Sequence, residues 1–214
     1  MSDYAISLRA VEKRFGIQQV LTDVNVQWAT GNIHGIVGRN GSGKTVLMKL
    51  ICGFMAADNG EIAIHSIPIS KSTSIPKGIG AIIEAPGFLP HHSGFKNLKF
   101  LALIGDTIND HTIRKTMQMV GLDPTLKKRV GAYSLGMRQR LGIAQAIMEN
   151  PDILILDEPM NGLDNAGVRD MRKLFLDLKA QGKTILLASH NKEDINELCD
   201  TVHEMDAGVL KRIL

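Results

Sequence analysis

Gly38-Arg39-Asn40-Gly41-Ser42-Gly43-Lys44-Thr45 satisfies, residue for residue, the pattern G-x-x-x-x-G-K-[ST]. Its glycines permit backbone conformations that turn successive N–H groups toward phosphate oxygens. Ile33-His34-Gly35-Ile36-Val37 before it reads as a compact strand, and Val46 to Cys52 after it has helical length, with Gly53 suited to the stop. A helix that starts in such a loop adds the positive end of its dipole. Lys44 is then expected to reach the β- and γ-phosphates, and the Thr45 hydroxyl to ligate Mg²⁺. The segment predicts a nucleoside-triphosphate site; an isolated glycine turn would lack the flanking strand and helix.

A second site lies at Ile153-Leu154-Ile155-Leu156-Asp157-Glu158. Four apolar residues in a row suit a strand covered on both faces, and ligands of α/β sheets gather at the carboxyl ends of such strands. Asp157 is expected to hold Mg²⁺ opposite Thr45, and Glu158 to polarise a water that attacks the γ-phosphate. Read alone, one acid would cap the next turn and the other would simply be exposed.

The remainder divides by pattern. Ile6, Leu8 and Ala10 alternate, as do Val24, Val26 and Trp28, which predicts half-buried strands near the start. From about 84 to 150, Pro86-Gly87 and Pro90 mark a loop, Phe95–Ile104 and Asn109–Val120 read as helices, and Ser134 caps a third. Met171, Leu174, Phe175 and Leu178 form a helix stripe, Thr184–Ala188 a buried strand, and Asp206-Ala207-Gly208 the turn of a closing hairpin. The class is α/β with a helical insert.

At 214 residues with 44% hydrophobic and 22% charged residues, the chain can build a core without metals or disulfides. A formal net charge of +3 is too mild to announce a nucleic-acid partner, and none is expected. Cys52 and Cys199 form neither a disulfide framework nor a zinc spacing; Cys52, among Leu50, Ile51 and Phe54, reads as a buried thiol in a reducing compartment. Met1-Ser2-Asp3-Tyr4 offers no secretory pattern, and no apolar run approaches the roughly 18 residues that cross a bilayer. Work at a membrane is therefore expected to pass through a partner.

With these motifs placed, the chain resembles the ATPase subunit of an ATP-binding cassette (ABC) transporter from Leu8 to Leu214. Tyr133-Ser134-Leu135-Gly136-Met137-Arg138-Gln139 resembles the family signature, Gly162-Leu163-Asp164 the D-loop, and Ser189-His190 the switch histidine, all in the family's order. The resemblance implies an ABC-type P-loop NTPase core with an N-terminal antiparallel β-subdomain over residues 1–83 and 151–214. A helical subdomain carrying the signature would span 84–150. It also implies ATP and Mg²⁺ as cofactors and a head-to-tail homodimer that sandwiches ATP. Ser134 and Gly136 of one copy would face the γ-phosphate held by Lys44 of the other, with Asp164 at the shared site. Without the family, Ser134 is a helix cap and a lone histidine such as His190 is structural. Under the resemblance His190 contacts the γ-phosphate and Phe15 stacks on adenine; Phe15 reads equally as core.

The signature departs from the family at Leu135, where a glycine is common, and at Met137-Arg138, where a second glycine and a glutamine would follow. Glu84 stands where the Q-loop glutamine is expected; its carboxylate would reach Mg²⁺ or its water. Glu84, Pro86-Gly87-Phe88 and this signature resemble the bacitracin and lantibiotic self-protection subgroup. The implied protein sits at the cytoplasmic face of the cell membrane, touches its permease through Glu84–Gly94, including His91-His92, and exports a peptide antibiotic. Two other readings compete. A soluble ABC-type ATPase acting on ribosomes, nucleic acid or protein complexes usually carries a second cassette or a long coiled coil. A P-loop kinase or GTPase would lack the signature, although Asn191-Lys192-Glu193-Asp194 imitates a guanine-reading set.

Overall fold

The computed structural model describes residues 4–69, 76–84, 87–105 and 108–214. Pro86 of the loop read above, and residues 1–3, lie outside them. The chain opens with β1 (Tyr4–Phe15), β2 (Gln18–Ala29), β3 (Ile33–Val37), α1 (Lys44–Ile51), β4 (Asn59–Ile64), the short β5 (Ile67–Pro68) and β6 (Ile79–Ile82). Three helices follow, α2 (Gly94–Gly105), α3 (Asp110–Met119) and α4 (Leu135–Ile147). Then come β7 (Ile153–Asp157), α5 (Asn165–Ala180), β8 (Thr184–Ala188), α6 (Lys192–Leu198), β9 (Thr201–Asp206) and β10 (Val209–Arg212).

Two sheets organise these elements. One is antiparallel, in the order β2-β1-β4-β5; the other runs β10-β9-β3-β8-β7-β6, parallel except for the β9–β10 hairpin. The apolar runs of β7 and β8 serve both faces of the parallel sheet. Leu154, Leu156, Ile185 and Leu187 pack with helices α2 to α5. Ile153, Ile155, Leu186 and Ala188 pack with α1 and the antiparallel sheet. That division explains why these strands do not alternate with polar residues. The closing hairpin turns at Ala207 and Gly208, both at positive φ (44° and 81°), the twist that a tight two-residue connection needs.

The simple alternation expected in β1 breaks at Ala10. The pairing of β1 shifts between Leu8 and Val11 on one side and between Arg9 and Glu12 on the other. Ala10 adopts φ 49° at this bulge, its N–H donates to Asn25 Oδ1 at 2.8 Å, and it is exposed. Val11 takes the buried place instead. An inserted residue reverses the face of everything after it. Gly60 fits closely against this bulge: a Cβ there would lie 2.3 Å from Ala10 O.

Candidate active site

The parallel strands end on one edge, and the nucleotide motifs meet there. β3 leads into the glycine loop, while β7 ends at Asp157, one strand away across β8. Gly38, Gly41 and Gly43 all take positive φ. At Gly38 (φ 153°) a side chain is excluded twice over, since a Cβ would lie 2.3 Å from Met205 O and 2.9 Å from Ser42 Oγ. Gly43 begins α1 without a side-chain cap, so the first N–H groups of that helix remain available to an anion. Lys44 is mostly buried, and its Nζ donates to Gly38 O at 2.7 Å and Arg39 O at 3.1 Å. The ammonium is thereby folded over the loop whose N–H groups define the phosphate cradle.

A cavity of about 520 Å³ opens on this loop. Of the residues expected from sequence, Asn40, Gly41, Ser42, Gly43, Lys44, Thr45, Glu84, Asp157 and Glu158 line it. Thr45 Oγ1 donates to Asp157 Oδ2 at 2.8 Å. A hydroxyl beside a carboxylate is the hard oxygen pair that Mg²⁺ accepts when phosphates complete its coordination, so these residues fit that ion. Ser42 Oγ, buried in the same loop, has no hydrogen-bond partner among the described residues.

Glu158 follows Asp157 and lines the same cavity. Its backbone is held at φ 49°, and its N–H donates to Ala188 O at 2.9 Å. His190 Nδ1 lies 2.9 Å from Glu158 Oε2, with the histidine side chain 71% exposed and the carboxylate 23%. An acid and an imidazole so joined can pass or hold a proton at the mouth of a phosphate site. Glu84 sits at φ 62° with Oε1 2.9 Å from Lys49 Nζ, one helical turn beyond Thr45.

The remaining sites lie elsewhere. Ser134 caps α4 by accepting from Met137 N–H at 3.1 Å, and Asp164 caps α5 by accepting from Gly167 N–H at 2.8 Å. Ser134 and Asp164 are exposed, and neither they nor Gly136 line the cavity of their own chain. The two loops touch: a Cβ on Gly136 would meet Gly162 O at 2.9 Å, and one on Gly162 would meet Leu135 Cγ at 2.5 Å. Phe15 is not core. It is 49% exposed, with Lys13 Nζ 5.5 Å from its ring centre. Val20 lines the cavity, together with Gln139 and Asn161. Sequence reading passed over all three. Gln139 Nε2 reaches Glu158 O at 3.4 Å, tying α4 to the acid. The only hint was its place within the signature-like segment.

The family model described as "ABC transporter" matches residues 21–161. The uncharacterized ABC transporter ATP-binding protein YybJ of Bacillus subtilis is 41% identical over 96% of this chain and 94% of its own. The bacitracin transport ATP-binding protein BcrA of Enterococcus faecalis is 35% identical over 97% of this chain and 68% of its own. Among solved structures, the dimeric post-hydrolysis cassette MJ0796 bound to ADP and Pi superposes with a TM-score of 0.86 at 21% identity, covering 98% of this chain and 99% of that one. At that identity the likeness speaks for the fold.

Proposed function

The chain belongs to the ABC transporter family as an ATP-binding, ATP-hydrolysing cassette, and on that footing we propose that two copies close on ATP to drive a separate membrane permease. The observation that carries the catalytic reading is the meeting of Thr45, Asp157 and Glu158 on one wall of the loop cavity. Lys44 and the loop N–H groups bind the β- and γ-phosphates. Thr45 and Asp157 would hold Mg²⁺ between them, and the Glu84 carboxylate lines the same cavity. When bound, the ion neutralises charge that develops on the phosphate oxygens. Glu158 takes a proton from the water that attacks the γ-phosphorus, as the bond to the β-phosphate oxygen breaks and ADP leaves. His190, joined to Glu158, keeps that water and the γ-phosphate in register.

Ser134, Gly136 and Asp164 serve the other copy. They are absent from their own cavity, and the start of α4 is the kind of anion site that a second protomer's γ-phosphate would complete. Phe15, exposed at the end of β1, would stack on adenine, while Val20 gives the cavity an apolar wall.

The permease contact is the Glu84–Gly94 loop together with the groove that Gly87 shares with Phe54, Ala81, Ile83, Leu101 and Gln145. Phe54 (55%), Leu89 (51%) and Ile104 (83%) are exposed around it, more apolar surface than scattered residues require. Asn97 holds the neighbouring loop in shape, accepting from Leu89 N–H at 2.7 Å and donating to Leu89 O at 3.1 Å. No helix among the described residues is long and apolar enough to cross a membrane. In the proposed assembly the permease supplies the pathway for substrate. Similarity to the bacitracin transport protein favours export of a peptide antibiotic. The test is a tagged pull-down from detergent-solubilised host membranes. A multi-helix membrane protein at stoichiometric yield supports transport, whereas ribosomal proteins or a soluble complex would overturn it and leave the ATPase standing.

A further inference from the structure

Arg172 is the one arginine among the buried polar and charged residues described, and the catalytic reading does not use it. It projects from the middle of α5, 8% exposed, against Asp194 of α6, which is 2% exposed. Its Nε and Nη2 both donate to Asp194 Oδ1, at 2.8 and 2.6 Å. Glu193 and Glu197 flank the guanidinium at 3.3 and 2.9 Å, with exposed carboxylates. A buried charge pair is costly to assemble and adds little stability over an apolar pair of the same shape. Its value lies in fixing geometry, because two N–H groups of the rigid guanidinium fork converge on Asp194 Oδ1 and leave Oδ2 to another partner.

The other oxygen of that carboxylate points at the switch loop. Asp194 Oδ2 accepts from Ser189 Oγ at 3.2 Å, and Ser189 Oγ in turn accepts from Asn191 N–H at 3.1 Å. One hydroxyl thus holds the residues on both sides of His190. His190 itself leaves the loop for solvent and meets only Glu158 among these groups, at 2.9 Å. An exposed imidazole has no packing to define its direction, so its backbone must define it.

We propose that Arg172 is a positioning residue for ATP hydrolysis: through Asp194 and Ser189 it fixes the backbone around His190 and so the seat of the imidazole against Glu158. The proposal rests on the reading of Glu158 and His190 given above. Lysine lacks the fork and would hold Asp194 through a single point contact.

The test compares Arg172→Met, Arg172→Lys, Ser189→Ala and His190→Ala, with Arg172→Met/His190→Ala as the double variant, all in the full chain. Turnover, nucleotide affinity and thermal stability are measured, together with the His190 imidazole resonances of histidine-labelled protein. Arg172→Met is expected to lower kcat on the order of tenfold or more while nucleotide affinity stays within about threefold, with Arg172→Lys between it and the parent. Adding Arg172→Met to His190→Ala should lower kcat no further, a non-additivity that general destabilisation would not produce. If Arg172→Met fails to fold, Ser189→Ala removes only a hydroxyl and should still lower kcat and shift the His190 resonances. Parental turnover and unchanged resonances in Arg172→Met or Ser189→Ala, with His190→Ala impaired, overturn the proposal alone. Parental turnover in His190→Ala overturns the reading beneath it and the proposal with it.

Discussion

Thr45 Oγ1 and Asp157 Oδ2 are joined by a 2.8 Å hydrogen bond, across 112 residues of sequence. The bond places the first turn of α1 against the end of β7 and brings together the two oxygens that the proposal assigns to Mg²⁺. Thr45→Val keeps the shape and removes one ligand. The Mg²⁺ concentration for half-maximal hydrolysis is expected to rise about tenfold or more, while Mg²⁺-free nucleotide binding stays within about twofold. Titration of Mg²⁺ at saturating ATP measures this. An unchanged Mg²⁺ requirement would remove Thr45 from the metal site.

Ser134 offers a cleaner separation of fold from function. Aspartate caps a helix about as well as serine, so Ser134→Asp should keep the α4 cap and change stability by less than about 1 kcal/mol. If Ser134 faces a γ-phosphate in a second copy, the new carboxylate opposes that phosphate, and like charges at an interface are costly. ATP-induced dimerisation, followed by size-exclusion chromatography or light scattering, should then disappear. Retained dimerisation would leave Ser134 as a cap only.

Acid stability follows from two buried histidines behind the site. Burial is the main cause that lowers His203, to about 4, with neighbouring His34 and Arg212 adding to it. Burial also lowers His34, against the raising effects of its bond to Ala29 O and of Asp200. Both folded values lie below the ordinary 6.5, so the unfolded chain takes up protons first as pH falls. Stability is therefore complete above about 6.5 and is lost progressively from there toward about 4. Urea unfolding at pH 7.5 and 5.0 should show a lower midpoint at the acidic pH. Trp28, the single tryptophan, reports locally, because its Nε1 donates to His203 Nδ1 at 3.3 Å with the rings edge to face. A midpoint independent of pH over this window would contradict the assignment.

What could be read from sequence was whatever is local. The glycine loop, the acids after an apolar run and the serine before α4 each announce themselves within ten residues, because backbone conformation, strand burial and capping are set by near neighbours. What could not be read depends on chain segments meeting. The Ala10 bulge needs Asn25 and Gly60 beside it. Gln139 and Val20 become part of the cavity only when α4 and β2 are laid against the loop. Nothing in either segment announces the pairing of Trp28 with His203, 175 residues apart. Phe15, which sequence alone left between an adenine contact and the core, ends its strand beside an exposed hairpin tip.

Glu158 carries the central claim, that this chain hydrolyses ATP with that carboxylate as base. Replacing it by glutamine keeps its size and its ability to meet His190, and removes the proton acceptor. The measurement is phosphate release by Glu158→Gln beside the parent chain, with nucleotide affinity taken on the same samples. Turnover should fall by at least about 10²-fold with affinity essentially unchanged, and an ATP-stabilised dimer should accumulate. Phosphate release at the parental rate from a variant that binds ATP normally would show that another group activates the water.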